Sequence, residues 1–231
     1  VWRSLKRWIC LSALILSGVF FRKQDTAGRK RLFMPVNRSI PDVAQKRKDW
    51  NGLISGFKAR DLVFLDESGC NTDMTRRYAY SLGGSRAIDS APLSKPKNTT
   101  ILSSIQLDGT LRYTTFSGGT TVERFKRYLE TDLLPHLNEN SVLIMDNMKS
   151  HYAKAVKNLL DSSGVRYIYL PPYSPDLNPI EKLWSKVKAF LRKFKARTLD
   201  ALPNAIQCAF QTVSPSDCSG WFHSCGYSPY F

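Results

Sequence analysis

Three acidic side chains stand at the ends of predicted elements, where a metal site could form. Asp66 ends the apolar run LVFLD, Asp146 ends the apolar run SVLIMD, and Glu181 opens the amphipathic helix that follows the last strand. Because ligands collect beyond the carboxyl ends of parallel strands, we expect the three carboxylates to meet at one edge of a sheet. All-oxygen sites favour Mg²⁺ or Mn²⁺ over zinc, and two such ions can drive phosphodiester displacement.

Each of these acids also has a purely structural interpretation. Asp66 could simply end a strand, and Asp146 with Asn147 could form the turn into the next helix. Glu181 could be a capping-box acid, with Asn178 as N-cap and a proline at the first helical position. The shared position of all three acids at one predicted sheet edge favours the metal site over these separate alternatives.

The rest of the chain predicts the elements that must hold the acids. Apolar and β-branched runs predict the strands Leu62–Asp66, Thr99–Leu107, Leu111–Phe116, Ser141–Asp146 and Arg166–Leu170. Helical spacing of apolar residues predicts the helices Thr121–Leu137, Ser150–Ser162, Ile180–Phe194 and Thr198–Val213. Asp108-Gly109 joins the second and third strands as a hairpin. An antiparallel half followed by crossovers predicts an α/β fold, a mixed sheet flanked by helices.

The composition indicates a globular protein with a polyanionic partner. Of the 231 residues 42% are apolar, which is enough for a sizeable core and excludes full disorder. Lysine and arginine number 34 against 19 acidic residues, so nucleic acid is the favoured partner and an acidic membrane surface the second. Five cysteines without CxxC spacing argue against a disulfide framework or zinc ribbon and fit a reducing, cytoplasmic environment.

The positive charge is concentrated at the beginning of the chain. Residues 1–60 hold 14 basic and three acidic residues, which predicts a boundary near Arg60 between a basic N-terminal segment and a domain of residues 61–231. The apolar run Ile9–Phe21 is shorter than the roughly 20 residues that cross a bilayer. We interpret this run as a buried or irregular segment rather than a targeting signal.

Three segments resemble the DDE catalytic domain of mariner-type transposases, in particular of the bacterial insertion-sequence branch. They are Leu65–Gly69 (LDESG), Met145–Asn147 followed by Ser150-His151, and Leu170–Glu181 (LPPYSPDLNPIE). Between Asp146 and Glu181 lie 34 residues, the spacing of the second and third acids in this group. The YSPDLNPIE string is the most specific part of the resemblance, which runs from about Pro41 to Tyr227.

The resemblance implies a ribonuclease-H-like fold that cleaves transposon ends and joins the freed 3′-hydroxyl to target DNA. Asp66, Asp146 and Glu181 would be the catalytic triad and would hold two Mg²⁺ or Mn²⁺ ions. Asn147 and His151 match motif positions beside the second acid, and would support the metal ligands, contact DNA or cap a helix. The implied partners are double-stranded DNA, both transposon ends and target, and a second copy in an active homodimer; no membrane is involved.

Contacts to DNA phosphates are expected from basic residues of the catalytic domain. The candidates are Arg76, Arg77, Lys95 and Lys97 before the hairpin, and Lys182, Lys186 and Lys193 on one stripe of the Glu181 helix. For each single lysine, a solvated helix face is the alternative.

The N-terminal segment departs from the family pattern. Family members carry a helix-turn-helix DNA-binding domain there, whereas Val1–Trp8 resembles only the tail of a recognition helix and residues 9–40 do not resemble the family's linker. We therefore expect an N-terminally truncated or damaged copy with an intact triad. The alternative function is a catalytically silent, basic DNA-binding remnant of a transposase.

Overall fold

The computed structural model describes residues 40–227, except for residues 77, 78, 80, 84 and 93–95. The described strands are β1 (Leu62–Cys70), β2 (Thr99–Gln106), β3 (Leu111–Ser117), β4 (Val142–Met145) and β5 (Arg166–Tyr169). The described helices are α1 (Pro41–Ile54), α2 (Val122–Tyr128), α3 (Lys154–Ser163), α4 (Ile180–Phe194), α5 (Ala201–Gln211) and α6 (Pro215–Ser224). Val1–Trp8 and Ile9–Phe21, which the sequence singled out, lie outside the described residues.

The strands form one mixed sheet in the order β3-β2-β1-β4-β5. β1, β2 and β3 pair antiparallel, whereas β4 pairs parallel to both β1 and β5. The predicted mixed sheet is therefore confirmed. The predicted hairpin joins β2 and β3, and its Gly109 has a φ of +93°, which favours glycine. A Cβ at Gly109 would also lie 2.9 Å from the Cα of Pro215, so the turn and the start of α6 approach too closely for a side chain.

Alternation along the central strands divides the core between the two faces of the sheet. Phe64 of β1 and Ile144 of β4 belong to the apolar cluster that α1, α4, α5 and α6 build on one face. Their neighbours in the two strands, Leu65 and Leu143, belong to the cluster that α2 and α3 build on the other face. The four side chains have no solvent exposure, so each strand contributes to both hydrophobic layers.

β1 is longer than its sequence predicts. The predicted strand ends at Asp66, but its antiparallel ladder with β2 continues to Cys70, which pairs with Thr99. The parallel ladder with β4 stops earlier, at Leu65 opposite Met145. Asp66 therefore lies inside β1, one residue beyond the end of its parallel pairing with β4. The apolar run in the sequence predicts where this parallel pairing ends, but not where the antiparallel pairing with β2 ends.

The helices differ from the predictions at four places, and the first is α1, since no helix is predicted over Pro41–Ile54. The helix predicted over Thr121–Leu137 is α2 extended by a π-helical and a 3₁₀ turn, with the Thr121 hydroxyl accepting from Arg124 N. The helix predicted from Ser150 begins only at Lys154, after turns that bury His151. α6 is not predicted, because its residues show only weak helical periodicity.

The start of α6 carries a signal that would have predicted it. The Ser214 side chain accepts from Asp217 N, and the Asp217 side chain accepts from Ser214 N, which is a complete capping box. Pro215 occupies the first helical position, where proline needs no hydrogen-bonded N–H. Short helices of weak amphipathic pattern are identified by such end signals rather than by periodicity.

α1 precedes the predicted boundary near Arg60 and packs with the strands that follow it. Trp50 of α1 is 3% exposed and belongs to the same apolar cluster as Phe64. Its indole Nε1 donates to the Tyr227 hydroxyl at 3.3 Å. All described residues, α1 included, belong to one compact unit. The division at residue 60 was drawn from charge alone, and what it means for function stays a prediction.

None of the described helices is long and apolar enough to cross a membrane.

The capping box of α6 generates a stability prediction. The hydrogen bond from Lys186 and those from Ser214 lower the pKa of Asp217 to about 2, from an ordinary value of 3.8. Asp217→Asn should lower the free energy of unfolding by about 1 kcal/mol at neutral pH, a modest value because water reaches the pair. Since ionised Asp217 stabilises the folded state, this difference should disappear as the pH falls from about 4 to about 2.

Urea denaturation of both proteins across this pH range measures the effect. Asp200→Asn is the matched control, because Asp200 precedes α5 without making a side-chain cap. It should leave the unfolding free energy within about 0.5 kcal/mol of the wild type. Equal losses in the two variants would contradict the assigned capping box.

Candidate active site

An open cleft of about 750 Å³ lies beyond the carboxyl ends of β4 and β5, beside the middle of β1. This is the sheet edge at which ligands collect in folds with parallel strands. The chain segments that line it are Asp66–Gly69, Asp146–Met148, Leu170–Pro175, and the residues Asn178, Glu181, Trp184 and Lys188. The three acids that the sequence singles out are thus brought into one cleft.

The register of β1 and β4 places the first two acids side by side. Leu65 pairs with Met145 at the end of the parallel ladder, and Asp66 and Asp146 are the next residues along the two strands. A one-residue slip in either strand would move one carboxylate to the other face of the sheet. The position of both acids is therefore fixed by backbone pairing.

Asp66 is the more buried of the two, with 9% exposure. Its Oδ1 accepts from the Glu67 amide at 2.7 Å, and its Oδ2 accepts from Trp184 Nε1 at 3.2 Å. Burial raises the pKa of Asp66 to about 7; the Glu67 hydrogen bond opposes this rise, and the negative charges of Asp146 and Glu181 add to it. Near neutral pH this carboxyl is consequently poised between its charged and neutral forms.

Asp146 is stabilised in its charged form. Its Oδ1 accepts from His151 Nδ1 at 2.9 Å and from the Met148 amide at 3.0 Å. Burial acts to raise the pKa of Asp146, but the hydrogen bond and positive charge of His151 outweigh it and the pKa is lowered. The two neighbouring acids therefore have pKa values displaced in opposite directions, a frequent property of functional carboxylate pairs.

Glu181 lies in the first turn of α4 and its side chain does not cap that helix. No side chain makes a capping hydrogen bond at the start of α4, and the buried Oδ1 of Asn178 has no hydrogen-bond partner among the described residues. The capping-box interpretation of Glu181 is therefore wrong. Burial and Asp146 raise the pKa of Glu181, while Lys188 acts in the opposite direction.

A loop between β5 and α4 forms one wall of the cleft and is tied down from both sides. Arg47 of α1 donates to both carboxylate oxygens of Asp176, at 2.8 and 3.2 Å. The Tyr227 hydroxyl donates to the Leu177 carbonyl at 2.6 Å. Tyr173, half exposed in the cleft wall, has a φ of +54°, a left-handed conformation that costs a non-glycine residue energy. The strained tyrosine is held in a loop that is fixed by its neighbours.

His151 is fully buried, so it lies beneath Asp146 and out of reach of DNA. Its Nε2 lies 3.2 Å from Glu67 Oε1, and the two carboxylates around the ring raise the pKa of His151 to about 10 against the opposing effect of burial. Asn147 lines the cleft, donates to the Leu170 carbonyl and accepts from the Tyr152 hydroxyl. α3 begins without a side-chain cap, so the capping alternative for both residues is wrong.

The predicted DNA-contacting residues are placed unequally. Arg76, Lys97 and Lys193 are exposed, whereas Lys186 is engaged by Asp217 at 2.6 Å, and Lys182 is partly buried. Arg77 and Lys95 lie outside the described residues. These positions stay predictions as DNA contacts.

Two basic residues near the cleft were not among the predicted sites. Lys188 lines the main cleft and, together with Arg192, a second depression next to it. The signal was present in the sequence, because Lys188 follows Glu181 by seven residues, two helical turns on the same face. Glu67 was also not singled out, although its carboxylate contacts Nε2 of His151.

The opposed pKa shifts generate a prediction for the metal-free protein. Asp66→Asn removes a buried charge and should raise the free energy of unfolding at mildly alkaline pH by an amount on the order of a few kcal/mol. The raised pKa means that this gain should shrink as the pH falls below about 7 and vanish by about pH 3, where Asp66 is neutral in both the folded and the unfolded state.

Asp146→Asn is the matched variant and should have the opposite sign. It leaves the buried His151 without one of its two anionic partners, so the folded protein should lose stability above about pH 4. Urea denaturation in EDTA measures both. Destabilisation of equal size by the two substitutions would contradict the assigned charge states.

Comparison with known proteins places this site in a family. The sequence model of the DDE superfamily endonuclease family matches residues 61–203. The Transposable element Tc1 transposase of Caenorhabditis elegans is 29% identical over 97 residues, which cover 40% of this chain and 36% of that protein. The chain therefore spans just over a third of the length of this relative.

Solved structures share the fold. A pre-cleavage Mos1 transpososome aligns with a TM-score of 0.72 and 18% identity, covering 94% of this chain and 67% of that one. The Mos1 mariner paired end complex with Mn has the same TM-score at 19% identity, covering 90% and 69%. The catalytic domain of Mos1 mariner transposase aligns with a TM-score of 0.61 and 17% identity, covering 79% and 87%. The expected ribonuclease-H-like fold is thereby confirmed, and since the family match extends over more than half of its residues, the chain belongs to the DDE superfamily endonucleases.

Proposed function

We propose that this chain is the catalytic domain of a mariner-type transposase that cuts DNA at transposon ends and joins the freed 3′-hydroxyl to target DNA. The observation that carries the proposal is the meeting of Asp66, Asp146 and Glu181 in one open cleft. Three carboxylates that face each other across a cleft repel one another, and a cation between them removes that repulsion. The proposal rests on the site, with the family as support.

The chemistry of this site fits hard divalent cations. All three candidate ligands are oxygen donors, the set that Mg²⁺ and Mn²⁺ prefer. The elevated pKa of Asp66 shows that its charged form lacks compensation from the protein alone, as expected for a ligand whose counter-charge comes from a metal. We propose that Asp66, Asp146 and Glu181 hold two such ions, which when bound activate a water or 3′-hydroxyl and stabilise the leaving oxygen.

The side chains of the cleft have separate tasks in this proposal. Trp184 donates to Asp66 Oδ2 and fixes the orientation of that carboxylate. His151 and the Met148 amide do the same for Asp146 through its Oδ1. Lys188, which lines the cleft beside Glu181, is placed to bind a phosphate oxygen of the DNA backbone.

The relatives support DNA ends as substrates and a dimer as the active form. Mos1 has been solved as paired end complexes with Mn and with Mg, and as a strand transfer complex. We propose by analogy that double-stranded transposon ends and target DNA are the partners of this chain, and that it acts as a homodimer. Membership of the bacterial insertion-sequence branch stays a prediction from the motifs.

The triad assignment predicts metal-dependent cleavage that fails when either of two ligands is neutralised. Asp146→Asn and Glu181→Gln keep side-chain size, so the proteins should fold and bind DNA. Each should lose more than about 100-fold in cleavage rate, since even disturbing a metal ligand's support costs about 10–100-fold. The measurement is nicking of a plasmid that carries the DNA flanking the gene, in Mg²⁺ or Mn²⁺ and in EDTA.

Glu139→Gln is the matched control, since Glu139 is exposed and outside the cleft. It should cleave at the wild-type rate. A wild-type chain that binds DNA but never cleaves it with either metal would establish the alternative, a catalytically silent DNA-binding remnant. Full cleavage by Glu181→Gln would remove that residue from the triad.

The position of Lys188 in the cleft predicts that it contributes one phosphate contact to DNA binding. Lys188→Gln should weaken binding to a duplex of random sequence and reduce the slope of log affinity against log salt by about 0.9. Lys126→Gln is the matched control, because Glu130 already engages that ammonium group at 3.1 Å and Lys126 lies outside the cleft. Fluorescence anisotropy at several salt concentrations compares the two. Equal slopes for Lys188→Gln and the wild type would show that Lys188 contacts no phosphate.

A further inference from the structure

Behind the cleft, the buried side chains of Glu67 and His151 form a short chain that ends at the more exposed Asp146. His151 has no solvent exposure and the Glu67 side chain is 7% exposed. Nε2 of His151 lies 3.2 Å from Glu67 Oε1, and Nδ1 lies 2.9 Å from Asp146 Oδ1. Phe125 of α2 stacks on the ring, with centroids 4.3 Å apart, and closes it off from the other side. The imidazole therefore bridges two carboxylates, one from β1 and one that follows β4.

The geometry identifies this imidazole as a hydrogen-bond donor rather than a metal ligand. Potential ligand atoms of Glu67, Asp146 and His151 lie within 4.8 Å of one another, a grouping that could hold a metal ion by residue type. However, each ring nitrogen lies at hydrogen-bond distance from a different carboxylate oxygen. A nitrogen that donates its proton to a carboxylate has no lone pair for a cation. The ring therefore serves as a link between the two acids.

The bridge determines which oxygen of Asp146 is offered to the cleft. Within the described part of the chain, His151 Nδ1 and the Met148 amide both bond to Oδ1. Two donors on one oxygen fix the rotation of the carboxylate, and Oδ2 is left for a ligand in the cleft. The position of the ring depends in turn on Glu67, which holds Nε2.

Glu67 is placed for this task by the alternation of β1. Asp66 contacts Trp184 of α4, whereas the next residue, Glu67, contacts His151 on the other face of the sheet. The second oxygen of Glu67, Oε2, is buried and has no hydrogen-bond partner among the described residues. An unsatisfied buried carboxylate oxygen lowers stability, so packing alone does not account for an acid at this position.

We propose that Glu67 and His151 are positioning residues that hold Asp146 Oδ2 in the orientation required of a metal ligand. This inference rests on the proposed function, because it assigns the support of one of its metal ligands. It makes β1 a source of two functional acids: Asp66 in the cleft and Glu67 beneath the neighbouring acid.

Two substitutions of His151 separate positioning from simple packing. The amide of Asn can occupy the place of Nδ1 and still donate to Asp146, whereas the amide of Gln reaches towards the place of Nε2 and Glu67. His151→Gln should weaken Mn²⁺ binding about 10–100-fold, and His151→Asn should retain affinity within about threefold. Isothermal titration with Mn²⁺ alone measures the affinity, and thermal melting in EDTA measures folding.

Phe125→Leu is the control for packing. It removes the ring that stacks on His151 but keeps both of its hydrogen bonds, so it should lower the melting temperature and leave Mn²⁺ affinity within about twofold. Glu67→Gln should fold and lose less affinity than His151→Gln, because the Gln carbonyl can still accept from Nε2.

The outcomes distinguish this inference from the proposed function. Native Mn²⁺ affinity in a folded His151→Gln protein, or equal losses in the Asn and Gln variants, would overturn the positioning role while leaving the metal site standing. A wild-type chain that binds no Mn²⁺ would overturn the proposed metal site itself, and the positioning role with it. Weak affinity in His151→Gln with rescue in His151→Asn is the result expected.

Discussion

The register of β1 against β4 sets the problem that the rest of this site solves. It brings Asp66 and Asp146 next to each other at the end of their parallel ladder, and α4 adds Glu181 to the same cleft. Like charges at this separation, partly shielded from water, raise one another's free energy. A fold that keeps such a group together gives up stability, and in the proposed function a bound cation offsets that cost.

Asp66 and Asp146 have pKa values that are shifted in opposite directions, because their surroundings differ. The pKa of Asp66 rises to about 7, so the metal-free site is partly protonated near neutral pH, while the pKa of Asp146 is lowered by His151. One acid thus keeps its charge through a buried cation, and the other gains it fully only when a counter-charge arrives. Entry of a divalent ion should therefore release a proton from this cleft. Binding of metal and proton is linked at Asp66 because Trp184 and the Glu67 amide do not fully compensate its charge.

Much of this arrangement could be predicted from the sequence, because the decisive signals are local. Apolar runs ending in an acid identified Asp66 and Asp146, and the proline-rich string before Glu181 identified the third member of the group. The residues that hold the acids and the wall of the cleft in place could not be predicted from local sequence. Glu67 looks like an ordinary strand residue until the fold brings it to His151, more than eighty positions away in the chain. Arg47 was missed for the same reason, since its partner Asp176 is 129 positions distant.

Two misjudged elements show how local signals compete. The residues before Glu181 satisfy the pattern of a capping box, yet the helix starts without one and the carboxylate faces the cleft, because tertiary position decides between two uses of the same acid. At α6 the capping pattern is real, but its weak periodicity hid the helix. A capping pattern at a helix start therefore does not show whether its acid caps the helix or contacts another part of the fold. The sequence alone does not distinguish these two uses.

The three acids and the residues that fix the wall of their cleft lie in different regions of the chain. Residues 61–203, which match the family, contain all three acids. The contacts that fix the wall of the cleft come from outside that range: Arg47 from α1 and Tyr227 after α6, with Trp50 bonded to the tyrosine hydroxyl. Tyr173 remains strained beside the acids only while its loop is over-determined in this manner. The geometry of the cleft is consequently a property of the unit from α1 to Tyr227 rather than of the segment that carries the acids.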